Sequence, residues 1–204
     1  ISAALFETLK GYLRAWPQVR SLNGRRISME NNKTSNLRVA EKIGFKLPKT
    51  TVVASSAGIM GPGLEGRIAK PLNGGQHTVP VEELNHHKQG YEVSFVQEML
   101  PGQNMRVFVI GGKTFAFTLD TEDLDYRTDR KAKLTHVPTP PELEDKAKAL
   151  AETLLFDYCA LDFRENDAGE MVFLEVNSMP MFVAFDNVSQ NKLVDAQLEF
   201  LIGA

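Results

Sequence analysis

The chain has 204 residues, 43% of them hydrophobic and 24% charged, which is an ordinary balance and enough chain to close a real core. A formal net charge of −3 advertises neither nucleic acid nor an anionic membrane as a partner, and no apolar run approaches the ~18 residues of a membrane span. Cys159 stands alone and cannot form an internal disulfide, so a reducing compartment, the cytoplasm, is expected.

In chain order, Ile1 to Arg20 reads as an amphipathic helix, with Leu5, Leu9, Tyr12, Leu13 and Trp16 apolar and Pro17 at its end. The first residue is Ile and not Met, so this helix is expected to continue from something upstream. Asn31 and Asn32 are candidate caps of a helix to about Ile43, with Leu37, Ala40 and Ile43 inward and Gly44 at the exit. Residues 48–54 read as a strand, and a short helix over 55–61 is a weaker reading. A strand over 66–72 leads into the glycine loop 73–78, and a strand over 91–100 closes at Pro101-Gly102. Residues 105–119 form a hairpin turning on Gly111-Gly112. Thr139-Pro-Pro-Glu142 has capping-box spacing and opens a helix whose apolar stripe runs from Leu143 to Leu154 and Leu155. A hairpin over 159–177 and a helix over 191–202 complete the chain. Hairpins outnumber parallel crossovers, so the class is α+β.

The most informative stretch runs from Cys159 to Asn177. Its two apolar runs are separated by Asn166-Asp-Ala-Gly169, a turn signal. With the turn centred between Ala168 and Gly169, Asp162 lies opposite Glu175, and Asn177 shares the face of Glu175. Opposed carboxylates repel, and an amide oxygen beside them completes the oxygen set that magnesium prefers. A solvated acidic face is the plainer explanation. Against it, Glu175 interrupts the run Met171-Val-Phe-Leu-Glu-Val176, and buried carboxylates are rare unless paired or coordinating.

Other residues are out of place. Lys70 shares a strand face with Ile68 and Leu72, where it either snorkels to an edge or meets an anion. The glycine pair Gly74-Gly75 just downstream frees a loop whose N–H groups can wrap a phosphate. Lys33 sits in a first helical turn, where the dipole disfavours a cation; it points into water or shares the helix end with a phosphate. Polar residues inside the strand Phe95-Val-Gln97-Glu98-Met99-Leu100 suggest an edge that receives a flat heterocycle. Arg106 and Arg127 are candidate anion clamps, or surface ion pairs with neighbouring acids. His77, His86, His87 and His136 show no zinc-ligand spacing, and Cys159 reads as an inert core residue.

Taken in order, these residues resemble the ATP-grasp carboxylate–amine ligases, nearest the branch of ribosomal-protein glutamate ligases and ribosomal-peptide macrocyclases. The matches are Asn32-Lys33, Ile68-Ala-Lys70-Pro-Leu with Gly74-Gly75, Phe95-Val-Gln-Glu98, Met105-Arg106, Asp125-Tyr-Arg127, and Leu161-Asp162 with Leu174-Glu175-Val-Asn177. The resemblance implies an ATP-grasp fold of two α+β subdomains, 31–100 and 101–204, with residues 1–30 a linker helix from a missing N-terminal domain. It implies that Lys33, Lys70, Gly74 and Gly75 hold ATP phosphates, while Gln97, Glu98, Met99 and Leu100 receive adenine. Asp162, Glu175 and Asn177 would ligate Mg2+, with Mn2+ as the alternative, and Arg106 and Arg127 would steady the reacting phosphoryl group. The implied reaction activates a substrate carboxylate as an acyl phosphate and joins it to an amine. A small-molecule amino acid or a peptide or protein would be the partner, with no nucleic acid and no membrane, and a homo-oligomer left open. One departure stands out: the family commonly continues Glu-x-Asn with Pro and then a Gly, whereas here Asn177 is followed by Ser178-Met179-Pro180-Met181-Phe182, which leaves the acceptor open. The alternative reading is a nucleotide-binding regulatory module of the same fold without ligase activity.

Overall fold

The computed structural model describes residues 3–26, 32–53, 64, 66–71, 78–83, 94–121 and 133–203. Helix α1 (Ala3–Ala15) precedes a 3-10 turn at Gly24–Arg26 and then α2 (Lys33–Ile43). The sequence signals at α2 are met on both sides: the Asn32 side chain accepts from the Ser35 N–H, and Gly44 closes the helix in the left-handed region at φ 94°. Strands β1 (Thr50–Val53), β2 (Arg67–Pro71), β3 (Val79–Pro80) and β4 (Ser94–Glu98) form a four-stranded sheet in the order β1-β4-β2-β3. The weaker helix reading over 55–61 lies outside the described residues.

The second sheet has five strands in the order β7-β6-β5-β8-β9, antiparallel throughout. Its members are β5 (Asn104–Ile110), β6 (Lys113–Asp120), β7 (Lys133–Val137), β8 (Tyr158–Glu165) and β9 (Met171–Asn177). One face packs on α2 and α3 (Pro141–Thr153) through Ala40, Phe45, Leu150, Phe163 and Phe173. The other face packs on α4 (Val183–Ser189) and α5 (Lys192–Ile202) through Phe108, Phe117, Phe185 and Leu193. Although α2 precedes the first sheet in sequence, its Leu37, Val39 and Ile43 join the core of the second.

Two helices are bounded in ways their sequence readings did not give. α3 begins at Pro141 with Pro140 in the cap position and no side-chain cap bond, so Thr139 lies one residue too far out to act. It ends at Thr153 because Leu155 turns left-handed (φ 58°) and the Phe156 and Leu155 N–H groups return to the carbonyls of Ala151 and Glu152. Those two bonds close the helix, with Leu155 where glycine is usual. At the C-terminus, Gln190 and Asn191 are both left-handed, and the buried Asp186 carboxylate accepts from the Leu193 and Val194 N–H groups. The cap of α5 is therefore supplied by the preceding helix and not by an adjacent residue.

Candidate active site

The hairpin that carries the acids meets its expected register by an unexpected route. Its turn is centred one half-step earlier, on Ala168, with Glu165 paired to Met171. Asn166 Oδ1 accepts from the Ala168 and Glu170 N–H groups, and Gly169 takes φ 76°, which selects glycine there. Left uninterrupted, this register would set Asp162 opposite Leu174. A bulge between Asp162 and Phe163 inserts one residue into β9 and restores the pair Asp162–Glu175. Core packing accounts for the bulge. Phe173 and Val176 are three residues apart, yet both enter the same core, which a regular strand cannot arrange.

On the α4/α5 side of this sheet, Arg106 of β5 stands directly beside Asp162 of β8. Its guanidinium donates twice to the carboxylate, Nε to Oδ1 at 2.6 Å and Nη2 to Oδ2 at 2.7 Å, and it lies over the Phe185 ring. Both side chains are largely buried, so this is a fork-to-carboxylate pair in low dielectric. Asn177 Nδ2 donates to Asp162 Oδ2 at 3.1 Å and to Glu175 Oε1 at 3.4 Å. Lys33 reaches from the first turn of α2 to Glu175 Oε2 at 3.2 Å, so its cost against the helix dipole is offset by a carboxylate. Burial alone would push the Glu175 carboxyl up, but Lys33 and Lys70 hold it below the usual carboxylate range. The three proposed metal ligands thus stand together, each engaged with its neighbours.

Lys70 comes from the other sheet, paired with Phe95 across β2 and β4. It lines a cavity of about 300 Å³ between the sheets, together with Arg106, Arg164, Asp162, Glu175 and Asn177. Some of its surface stays accessible, but protein surrounds its amine. Burial is the larger influence and lowers its pKa; Glu175 and Asp162 act in the opposite direction. Lys70 neither snorkels to an edge nor packs in the small sheet's core; it faces the acids.

The adenine candidates divide. Glu98, Met99 and Leu100 line the main cavity, and Glu98 Oε1 also accepts from the Lys49 N–H at 3.0 Å. Gln97 points instead into a small neighbouring cavity beside Lys33 and Lys70, where its Nε2 donates to Thr50 Oγ1 and its buried Oε1 has no partner. Arg127 and the pair Gly74-Gly75 lie outside the described residues, as do His77, His86 and His87. Among the described residues no three of His, Cys, Asp and Glu gather as a metal cluster; the donor set here is two carboxylates and an amide. Cys159 is buried, and burial pushes its thiol up to about 12, so it is no nucleophile. His136 packs its ring on Phe117.

Sequence reasoning missed Arg164, and it marked the segment 178–181 only as a departure from the family pattern, without placing it on the cavity wall. Arg164 lines the cavity and donates from Nε to the Gly102 carbonyl at 3.2 Å, while burial lowers its pKa. Its even spacing from Asp162 on one strand was the available signal.

No family model matches the chain. The tetrahydromethanopterin:alpha-L-glutamate ligase of Methanocaldococcus jannaschii is 26% identical over 218 residues, covering 97% of this chain and 74% of that protein. The structure of ATP-grasp ligase PsnB complexed with a phosphomimetic variant of its minimal precursor, Mg and ADP superposes with a TM-score of 0.77 at 21% identity, over 96% of this chain and 67% of that one. The chain has the ATP-grasp fold. Macrocyclase MdnB from Microcystis aeruginosa MRC is similar to it as well, with a TM-score of 0.73, 23% identity and coverage of 97% and 68%. The cavity lies between the two sheets, with Arg106, Asp162, Arg164, Glu175 and Asn177 on the larger and Lys70 and Glu98 on the smaller.

Proposed function

We propose that the chain is the nucleotide-binding and catalytic portion of an ATP-dependent ligase that activates a carboxylate and joins it to an amine. The observation that carries this reading is the convergence of Arg106, Asp162, Glu175, Asn177 and Lys33 on one patch, with Lys70 facing it from the second sheet. Phosphoryl transfer asks for positioning and charge neutralisation and no protein nucleophile, which suits this set. The curated relative is a ligase and the PsnB structure holds Mg and ADP, which supports ATP and magnesium as its reactants.

The donor set fits a hard cation: magnesium is held by one or two carboxylates with phosphate oxygens completing its shell, and Asp162, Glu175 and Asn177 offer two carboxylates and an amide oxygen. Magnesium bound there would neutralise charge on the phosphoryl oxygens. Lys70 and Lys33 would hold the phosphate chain, and Glu98 to Leu100 would receive the base. A substrate carboxylate oxygen attacks the γ-phosphorus, the bond to ADP breaks, and an acyl phosphate results. The amine nitrogen then attacks the carbonyl carbon, phosphate leaves, and the nitrogen loses a proton. Arg106, which donates to Asp162 in this structure, would turn its fork to clamp the transferring group. The substrate would be an acidic amino acid or peptide, and the site of action the cytoplasm. Among the described residues no helix is long and apolar enough to cross a membrane. ADP release with a panel of acids and amines tests the reading. Tight MgATP binding with no ADP release under any pairing would favour a nucleotide-binding module.

A further inference from the structure

After β9 the chain does not leave the sheet; it crosses the α4/α5 face, passing beside Asp162, to reach α4. This crossing is pinned at its backbone. The Asn23 amide donates to the Ser178 carbonyl at 2.8 Å, and the buried Tyr158 hydroxyl donates to the Pro180 carbonyl at 2.9 Å. Asn23 is itself fixed, in the left-handed region at φ 59°, with Oδ1 accepting from the Asp157 and Tyr158 N–H groups. With Ser178 and Pro180 tied down, the alternate side chains, Met179 and Met181, project outward and are 87% and 76% exposed. Both line the same cavity as Arg106 and Asp162, with Leu119 nearby on β6 and the half-exposed Met99 also on the cavity wall.

Two thioethers held out on an anchored backbone are costly to leave in water and well suited to cover apolar groups of differing shape. The cavity is therefore two-sided in chemistry. Arg106, Arg164 and Lys70 supply cations for a carboxylate and for phosphate, whereas Met179, Pro180, Met181 and Leu119 supply an apolar ledge without a charge of their own. A free acidic amino acid has nothing to place on that ledge. We infer that the carboxylate substrate is a peptide whose activated acidic residue is flanked by an aliphatic or aromatic residue, and that Met179 and Met181 are the specificity-determining contacts for that neighbour. This rests on the ligase reading above and extends it to a substrate class.

The test separates binding from chemistry. Acetylated pentapeptides with a central Glu flanked by Leu, Phe, Ser or Lys are titrated calorimetrically into the full chain with Mg2+ and a non-hydrolysable ATP analogue, and the same peptides are then assayed for ADP release with ATP and an amine. The Leu and Phe peptides should bind at least about ten-fold more tightly than the Ser and Lys peptides, the difference expected for burying one such side chain. Met179→Ser combined with Met181→Ser should weaken the Leu peptide by about ten-fold and the Ser peptide by less than two-fold. Both side chains are exposed, so this variant keeps its fold, which circular dichroism and nucleotide affinity verify. Equal affinities across the four peptides, or an equal loss for Leu and Ser peptides in the variant, overturn the inference. A preference in binding with no ADP release from any peptide leaves the ledge standing and counts against the ligase reading alone.

Discussion

The two sheets are held in different ways, and the candidate site takes charges from both. The five-stranded sheet is covered on each face, with Phe163 and Phe173 in one core and Phe108, Phe117 and Phe185 in the other. Among the described residues the four-stranded sheet has a core of Val53, Ala69, Val81 and Val96, with β1 and β3 contributing 4 and 2 described residues at its edges. Arg106, Asp162, Glu175 and Asn177 therefore stand on a doubly supported platform, and Lys70 reaches towards them from the other sheet. The groups proposed to meet the transition state thus sit on an element packed on both faces, as precise positioning requires, whereas Lys70, proposed to grip nucleotide, sits on the other sheet.

The sharpest way to break this comparison is at the Arg106–Asp162 pair. Asp162→Ala leaves a buried guanidinium without its carboxylate and should cost about 3–5 kcal/mol of stability. Arg106→Met combined with Asp162→Leu removes both charges and should recover most of that loss while ligation stays abolished. Denaturant titration alongside ADP release reads both effects. A single variant as stable as the parent would show that the platform does not depend on the pair.

A second comparison sets one core against the other. Phe173→Ala empties a fully buried site between α2 and the large sheet and should cost about 3–5 kcal/mol. Val96→Ala, in the small core, should cost about 2 kcal/mol. Hydrogen exchange should show the Val96 variant opening chiefly within β1, β2 and β4, whereas the Phe173 variant lowers protection throughout the large sheet. Uniform loss in both would erase the distinction between the sheets.

Lys70→Met should leave stability unchanged or raised, because burial already disfavours the charged amine and a thioether of similar length fits the same space. Nucleotide affinity should fall on the order of 10- to 100-fold, the worth of one charge-assisted contact. Calorimetry with MgATP measures it, and an unchanged affinity would remove Lys70 from the phosphate grip.

Much of this arrangement was legible in the sequence where local rules decide it. Asn32 and Gly44 bound α2, Gly111 and Gly112 turn the β5–β6 hairpin, and the acidic pair faces across β8 and β9. The facing of Asp162 and Glu175 was nevertheless reached through a turn half a step off, compensated by a bulge, and bulges answer to packing of Phe173 and Val176 that no local pattern displays. The placement of α2 on the second sheet is likewise a long-range contact that its amphipathicity could not assign. Gln97 shows the limit from the other side: alternation marks it as facing away from Val96, but which of two adjacent cavities it enters depends on Thr50, 47 residues earlier. The departure at Ser178 to Phe182 was visible as a string of letters, and its meaning came only with the anchors Asn23 and Tyr158.

The smallest expected effect tests the anchor of the crossing loop on the rigid platform. The Tyr158 hydroxyl donates to the Pro180 carbonyl, and burial is the main influence pushing its pKa up to about 12, with Arg106 pulling the other way. An unfolded tyrosine ionises near 10. Below about pH 10 both states keep the proton, so the contribution to stability is complete; between about 10 and about 12 the unfolded chain loses its proton first, and stability falls as pH rises. Tyr158→Phe removes this slope and also the bond to Pro180, at a cost of about 1 kcal/mol at neutral pH. The gap in stability between parent and variant should therefore narrow from pH 9 to pH 11. Cys159, also pushed up to about 12 by burial, contributes to both proteins and cancels in the difference. A gap that stays constant with pH would mean that the Tyr158 hydroxyl is no more protected in the fold than in the open chain, and that the loop carrying Met179 and Met181 is held without it, by Asn23 and by Phe182 packed on the Tyr158 ring.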